Sequence, residues 1–136
     1  MARQLFLFLI VGAGGCVGSI ARYGISLLSQ RLSFELPLGT FLANILGCFV
    51  IGIIAGLSAR GEIMSPEVRL ALATGFCGGF TTMSSMIYET AAMLRTGEYL
   101  LAGVYAGGTL LLSMIAFAAG AAAVHLILKT GGFGWN

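Results

Sequence analysis

The chain has 136 residues, 58% hydrophobic and 9% charged, with a mean hydropathy of +0.99. A soluble domain carries about 25% charged residues because it needs a wetted surface, so seven Lys and Arg with five Glu exclude a water-soluble globule. A net charge of +2, from scattered basic residues, gives no electrostatic footprint for nucleic acid, and the partner this composition requires is membrane lipid.

Crossing about 30 Å of hydrocarbon takes roughly 20 helical residues, and four stretches meet that length. The first runs over about 5–28 and is ended by Ser29, Gln30 and Arg31. Its apolar run outlasts the h-region of a signal peptide and no cleavage site precedes Arg22, so it reads as a retained helix. The second covers about 38–58, opened by Pro37 in a first-turn position and closed by Arg60, Gly61 and Glu62. The third covers about 66–94, with Ser65 as N-cap ahead of Pro66 and Glu67. The fourth covers about 99–128, followed by Lys129 and a Gly-rich tail. Connections this short predict one four-helix domain in which consecutive helices are antiparallel neighbours.

Basic residues are divided between the two sides with a weak bias, four against two or three. Arg3, Arg60, Arg69 and Lys129 fall on one side, and Arg31 and Arg95, with Arg22 near a helix end, on the other. That weak bias is compatible with insertion in either orientation. Small residues four apart, such as Gly14 with Gly18 and Gly39 with Ala43 and Gly47, let helix backbones approach closely in lipid. Cys16, Cys48 and Cys77 all lie in apolar runs without a close-spaced pair, and they read as small packing residues.

The third span holds the most informative stretch, Gly75-Phe76-Cys77-Gly78-Gly79-Phe80-Thr81-Thr82-Met83-Ser84-Ser85-Met86. From Pro66 to Gly75 is about 15 Å of helix, half a bilayer, so the spacing predicts a helix broken near 75–82 at midmembrane depth. Lipid cannot satisfy the backbone groups that a break releases, so it must be buried in protein or line a wet cavity. Released carbonyls suit a cation, and the N-terminus of the next half-helix suits an anion. A Gly-rich helix that merely packs closely is the alternative.

Polar residues elsewhere in the spans carry the remaining chemistry. Asn44 shares a helix face with Thr40; an amide in hydrocarbon needs a partner or a wet cavity, and interhelical bonding and a pore role both supply one. Tyr105, Thr109 and Ser113 form a four-residue stripe, either a ladder of donors for a dehydrating anion or hydroxyls bonded back to their own helix. Arg22 either snorkels to the headgroups or sets a positive potential at a pore mouth. Glu89 is a carboxylate in a span, functional by default. No hydrolytic triad, zinc cluster or phosphate loop is present, so the sequence does not read as an enzyme.

Three ordered motifs resemble the Fluc (CrcB) fluoride channel family. They are Gly14-Gly15 with Gly18, Arg22 and Tyr23; Gly39-Thr40 with Asn44 and Gly47; and Gly75-Phe76-Cys77-Gly78-Gly79 with Thr81, Thr82 and Ser84. The resemblance implies passive fluoride efflux through an antiparallel, dual-topology homodimer in a bacterial inner membrane. It implies a structural sodium ion at the dimer interface, held by the backbone carbonyls of Gly78 and Thr81. It also implies a fluoride pathway along Arg22, Asn44, Met83, Ser84, Ser85, Met86, Glu89, Tyr105, Thr109 and Ser113. Where the family carries two phenylalanines whose edges approach the anion, this chain has Met83 and Met86. The competing class is a small dual-topology, proton-coupled drug exporter. That mechanism wants a carboxylate in the first helix, which has none here, leaving Glu89 as its only foothold.

Overall fold

The computed structural model describes residues 1–31, 36–59 and 64–130. The expected closure of the second helix by Arg60, Gly61 and Glu62, and the Gly-rich tail, lie outside the described residues. Among the described residues, five helical elements make up four spans, each long and apolar enough to cross a membrane. Helix α1 is Ala2–Ser29 and α2 is Leu38–Ser58. Pro37 stands immediately before α2 as its cap rather than inside its first turn, and its carbonyl accepts the Phe41 N–H at 3.3 Å.

The third span, Pro66–Arg95, is bent and interrupted. Its first half, α3, consists of α-helical Pro66–Arg69, a wider π-helical stretch Leu70–Cys77, and Gly78–Phe80. Ser65 caps it, accepting the Val68 N–H on Oγ at 3.3 Å. Its second half, α4, is Met83–Arg95. Gly75, Gly78 and Gly79, within the stretch read as broken, remain wound. The chain leaves helical geometry only at Thr81 (φ −83°, ψ 156°) and Thr82 (φ −153°, ψ 109°). In lipid the glycines keep their helix bonds, because winding is the only local way to satisfy backbone groups.

Helix α5, Tyr99–Thr130, follows a tight turn. Gly97 takes φ +84° at the end of α4. Its N–H reaches the Leu94 carbonyl at 3.3 Å, and the Glu98 N–H reaches the Met93 carbonyl at 2.9 Å. This is a Schellman ending, which a residue with a Cβ would strain.

The main packing partners are not consecutive in sequence: α2 lies chiefly against α5 and α1 against α3, with lesser α1–α2 and α4–α5 contacts. Small residues set both main pairings. A Cβ on Gly14, Gly18 or Gly79 would overlap a backbone carbonyl across the α1–α3 contact (Ala71, Phe76 and Gly15 respectively), and one on Gly52 or Gly120 would do so across α2–α5. Van der Waals contact replaces the hydrophobic effect as the attraction between helices in lipid, so such close approach is what holds the spans together. A compact cluster of Met86, Met93, Ala102 and Tyr105, flanked by Leu36, Phe41 and Leu101, fills the space between α4 and α5.

Candidate functional site

Two consecutive β-branched threonines disfavour helix, yet the backbone groups they release still need partners. Asn44, buried on α2, supplies two. Its Oδ1 accepts the Thr82 N–H at 2.7 Å, and its Nδ2 donates to the Thr82 carbonyl at 3.2 Å. Gly47, one turn further along α2, leaves the space that the Thr81 methyl and the Phe80 ring occupy. Thr82 then caps α4, its Oγ1 accepting the Ser85 N–H at 3.2 Å and donating to Ser85 Oγ at 3.0 Å. Ser84 Oγ lies 3.2 Å from the same oxygen.

On the other side of the break, Arg22 Nε donates to the Gly79 carbonyl at 3.1 Å and Ser19 Oγ reaches it at 3.4 Å. Arg22 therefore turns inward to α3 rather than running along the helix to the headgroups. The Thr81 N–H and Oγ1 both donate to the Cys77 carbonyl at 2.9 Å. In an unbroken α-helix the carbonyls of Gly78 and Thr81 would accept from the N–H groups of Thr82 and Ser85. Here those N–H groups go to Asn44 Oδ1 and Thr82 Oγ1 instead.

A second polar cluster forms further along α4. Glu89 Oε1 accepts from Thr40 Oγ1 at 2.8 Å, and Oε2 accepts from the Tyr105 hydroxyl at 2.5 Å. Helices α2, α4 and α5 thus meet on one carboxylate. Along α5 the hydroxyl stripe divides three ways. Tyr105 turns to Glu89, Thr109 donates back to the Tyr105 carbonyl at 2.6 Å, and Ser113 Oγ is buried without a partner among the described residues. The two methionines also part: Met86 is 3% exposed in the α4–α5 cluster, whereas Met83 is 60% exposed on the outer surface.

The expected residues thus gather into a break cluster (Arg22, Asn44, Gly78, Thr81, Ser84, Ser85) and a carboxylate cluster (Met86, Glu89, Tyr105, with Thr109 and Ser113 beyond). Ser19 and Phe80 join the first without having been singled out. The spacing of Ser19 and Arg22, three apart on one face of α1, is the signal that would have found Ser19.

Four apolar spans, the third of them interrupted, with amide, hydroxyl and carboxyl groups converging inside, define a small multi-pass membrane protein of the ion-handling kind. A family model described as "CrcB-like protein, Camphor Resistance (CrcB)" matches residues 9–121. The chain belongs to that family. It is 48% identical over 120 residues to a "Fluoride-specific ion channel FluC" of Chlorobium phaeobacteroides, covering 88% of this chain and 93% of that one. A protein of the same name from Chlorobaculum tepidum is 49% identical over 102 residues, covering 75% and 81% of the two chains. The Nitratidesulfovibrio vulgaris protein of that name is 42% identical over 106 residues, covering 77% and 86%.

Proposed function

We propose that this protein is a fluoride-selective channel of the bacterial inner membrane, conducting fluoride passively outward and so protecting the cell from its toxicity. The observation that carries this reading is the similarity, over most of the chain, to relatives named as fluoride-specific channels. The site chemistry supports it. Fluoride is small and strongly hydrated, so a pore must replace its water with donors while still letting it leave. Thr40 and Tyr105 already direct two hydroxyl donors onto one carboxyl group, that of Glu89. Ser113 keeps a buried hydroxyl without an acceptor among the described residues. Asn44 uses one of its two amide hydrogens on Thr82, and the second serves the anion in this reading. Met86 supplies an apolar, weakly electropositive wall in place of an aromatic edge.

The active form in this reading is an antiparallel homodimer with a structural sodium ion between the subunits. The Gly78 and Thr81 carbonyls fit a hard cation, because the N–H groups that would normally occupy them are bonded elsewhere and Gly78 lies on the outer surface of the subunit. Two carbonyls are too few for such an ion alone, so a second copy completes the set. The ion adds fixed positive charge that holds two like surfaces together.

Purified protein in liposomes is expected to release fluoride rapidly and chloride hardly at all. Proton-coupled export of a cationic drug with no fluoride efflux would overturn the channel reading in favour of the exporter.

A further inference from the structure

We infer that Asn44 and Thr82 act as positioning residues that create the cation ligands, by withdrawing N–H donors from the Gly78 and Thr81 carbonyls. The inference rests on the sodium site proposed above and assigns which side chains make it. A carbonyl inside a continuous helix is engaged by the N–H four residues on, so it has little to offer an ion. Breaking the helix is not sufficient by itself, since a short interruption can re-form the missing bond with its neighbour.

This chain prevents that at both carbonyls with a side-chain acceptor. Asn44 Oδ1 holds the Thr82 N–H at 2.7 Å while Nδ2 grips the carbonyl of the same residue, so Thr82 is fixed at two points and its N–H cannot swing back to Gly78. Thr82 Oγ1 holds the Ser85 N–H at 3.2 Å, away from Thr81. Of the two carbonyls between them, that of Gly79 is removed from the ligand set by the opposite device, since Arg22 and Ser19 occupy it with donors. At Gly78, Gly79 and Thr81 the surrounding side chains thus decide which carbonyl carries a donor. A fixed cation beside Gly79 also discourages the ion from wandering along α3.

The test measures apparent sodium affinity, from thermal unfolding of the full chain in detergent across a sodium titration with ionic strength held constant by an organic cation. Thr82→Val removes the Oγ1 acceptor with little change of shape, and Asn44→Leu removes both amide contacts. Each is expected to weaken apparent sodium affinity by about tenfold or more, while Thr82→Ser, which keeps the hydroxyl, stays within about threefold of wild type. A role confined to packing would lower the unfolding temperature without moving the sodium midpoint. A wild-type protein indifferent to sodium would overturn the sodium reading and this inference together. A wild type that responds to sodium, with Val and Leu variants at the same midpoint, would overturn the inference alone. Should both variants fail to fold, a high-resolution structure of the wild-type protein in sodium decides. The ion is expected on Gly78 and Thr81 with the Thr82 N–H still on Asn44, and a Thr82 N–H bonded to Gly78 would refute the assignment.

Discussion

Met86 sits where α4 meets α5, packed with Met93, Ala102 and Tyr105, and its sulfur lies in the same cluster as the phenol that bonds Glu89. A thioether is flexible enough to fill an irregular gap and polar enough to tolerate a nearby anion. Met86→Phe is close to a volume-compatible change and is expected to leave fluoride efflux largely intact. Met86→Ala opens a cavity and is expected to cost about 2–5 kcal/mol of stability, read as a lower unfolding temperature. Met86→Asp places a like charge in a low-dielectric path and is expected to stop efflux. An Asp variant conducting like wild type would place the ion's route away from Met86. Met83, exposed on the subunit surface, was expected beside Met86. Residues three apart on a helix share a face, yet at the start of α4 Met83 is exposed and Met86 buried, a difference that local spacing does not show.

At the scale of elements, close backbone approach is the main attraction between α1 and α3. A Cβ on Gly79 would overlap the Gly15 carbonyl, whereas one on Gly12 meets nothing within 4 Å. Gly79→Ala is therefore expected to destabilise the protein by about 1–3 kcal/mol. Gly12→Ala is expected to be neutral or slightly stabilising through helix propensity. Equal unfolding temperatures for the two variants would show that the helices can separate slightly at no cost. Span positions and the Ser65 cap were legible in the sequence, because length, hydropathy and capping chemistry act over a few residues. The break was legible only as a region. Its location depends on Asn44, 38 residues before Thr82, and such a bond leaves no trace in local pattern. Of the glycines that drew attention to the region, Gly75 and Gly79 serve packing against α1 while Gly78 meets nothing within 4 Å, and the threonines interrupt the helix. The hydroxyl stripe was visible as a spacing, but Thr109's return to its own helix depends on a side-chain rotamer.

For the whole molecule, the weak bias of basic residues and the exposed surface around Gly78 both bear on the proposed dimer and how its two copies would lie in the membrane. Arg3, Arg69 and Lys129 mark one face and Arg31 and Arg95 the other, with Arg60 on the first face by sequence. Removing Arg22 from the count, since it bonds Gly79 inside the protein, leaves the bias weak. In a background lacking Cys16, Cys48 and Cys77, Gln30→Cys and Thr130→Cys are each expected to react with an impermeant thiol reagent from both sides of the membrane. Reaction of each from one side only would eliminate dual topology and, with it, the antiparallel dimer.

The Schellman turn between α4 and α5 has a mechanical consequence for the carboxylate cluster. Glu89 lies seven residues before Thr96 and Tyr105 seven after Glu98, so acid and phenol are mounted at matching heights on one stiff hairpin. Tilting that hairpin carries both groups together and preserves their bond. Thr40 belongs to a different support, α2, and sliding between α2 and the hairpin would part Thr40 from Glu89 first. The α2–hairpin offset, which Gly52 and Gly120 fix by close backbone approach, thus decides whether Glu89 is gripped from two sides or from one.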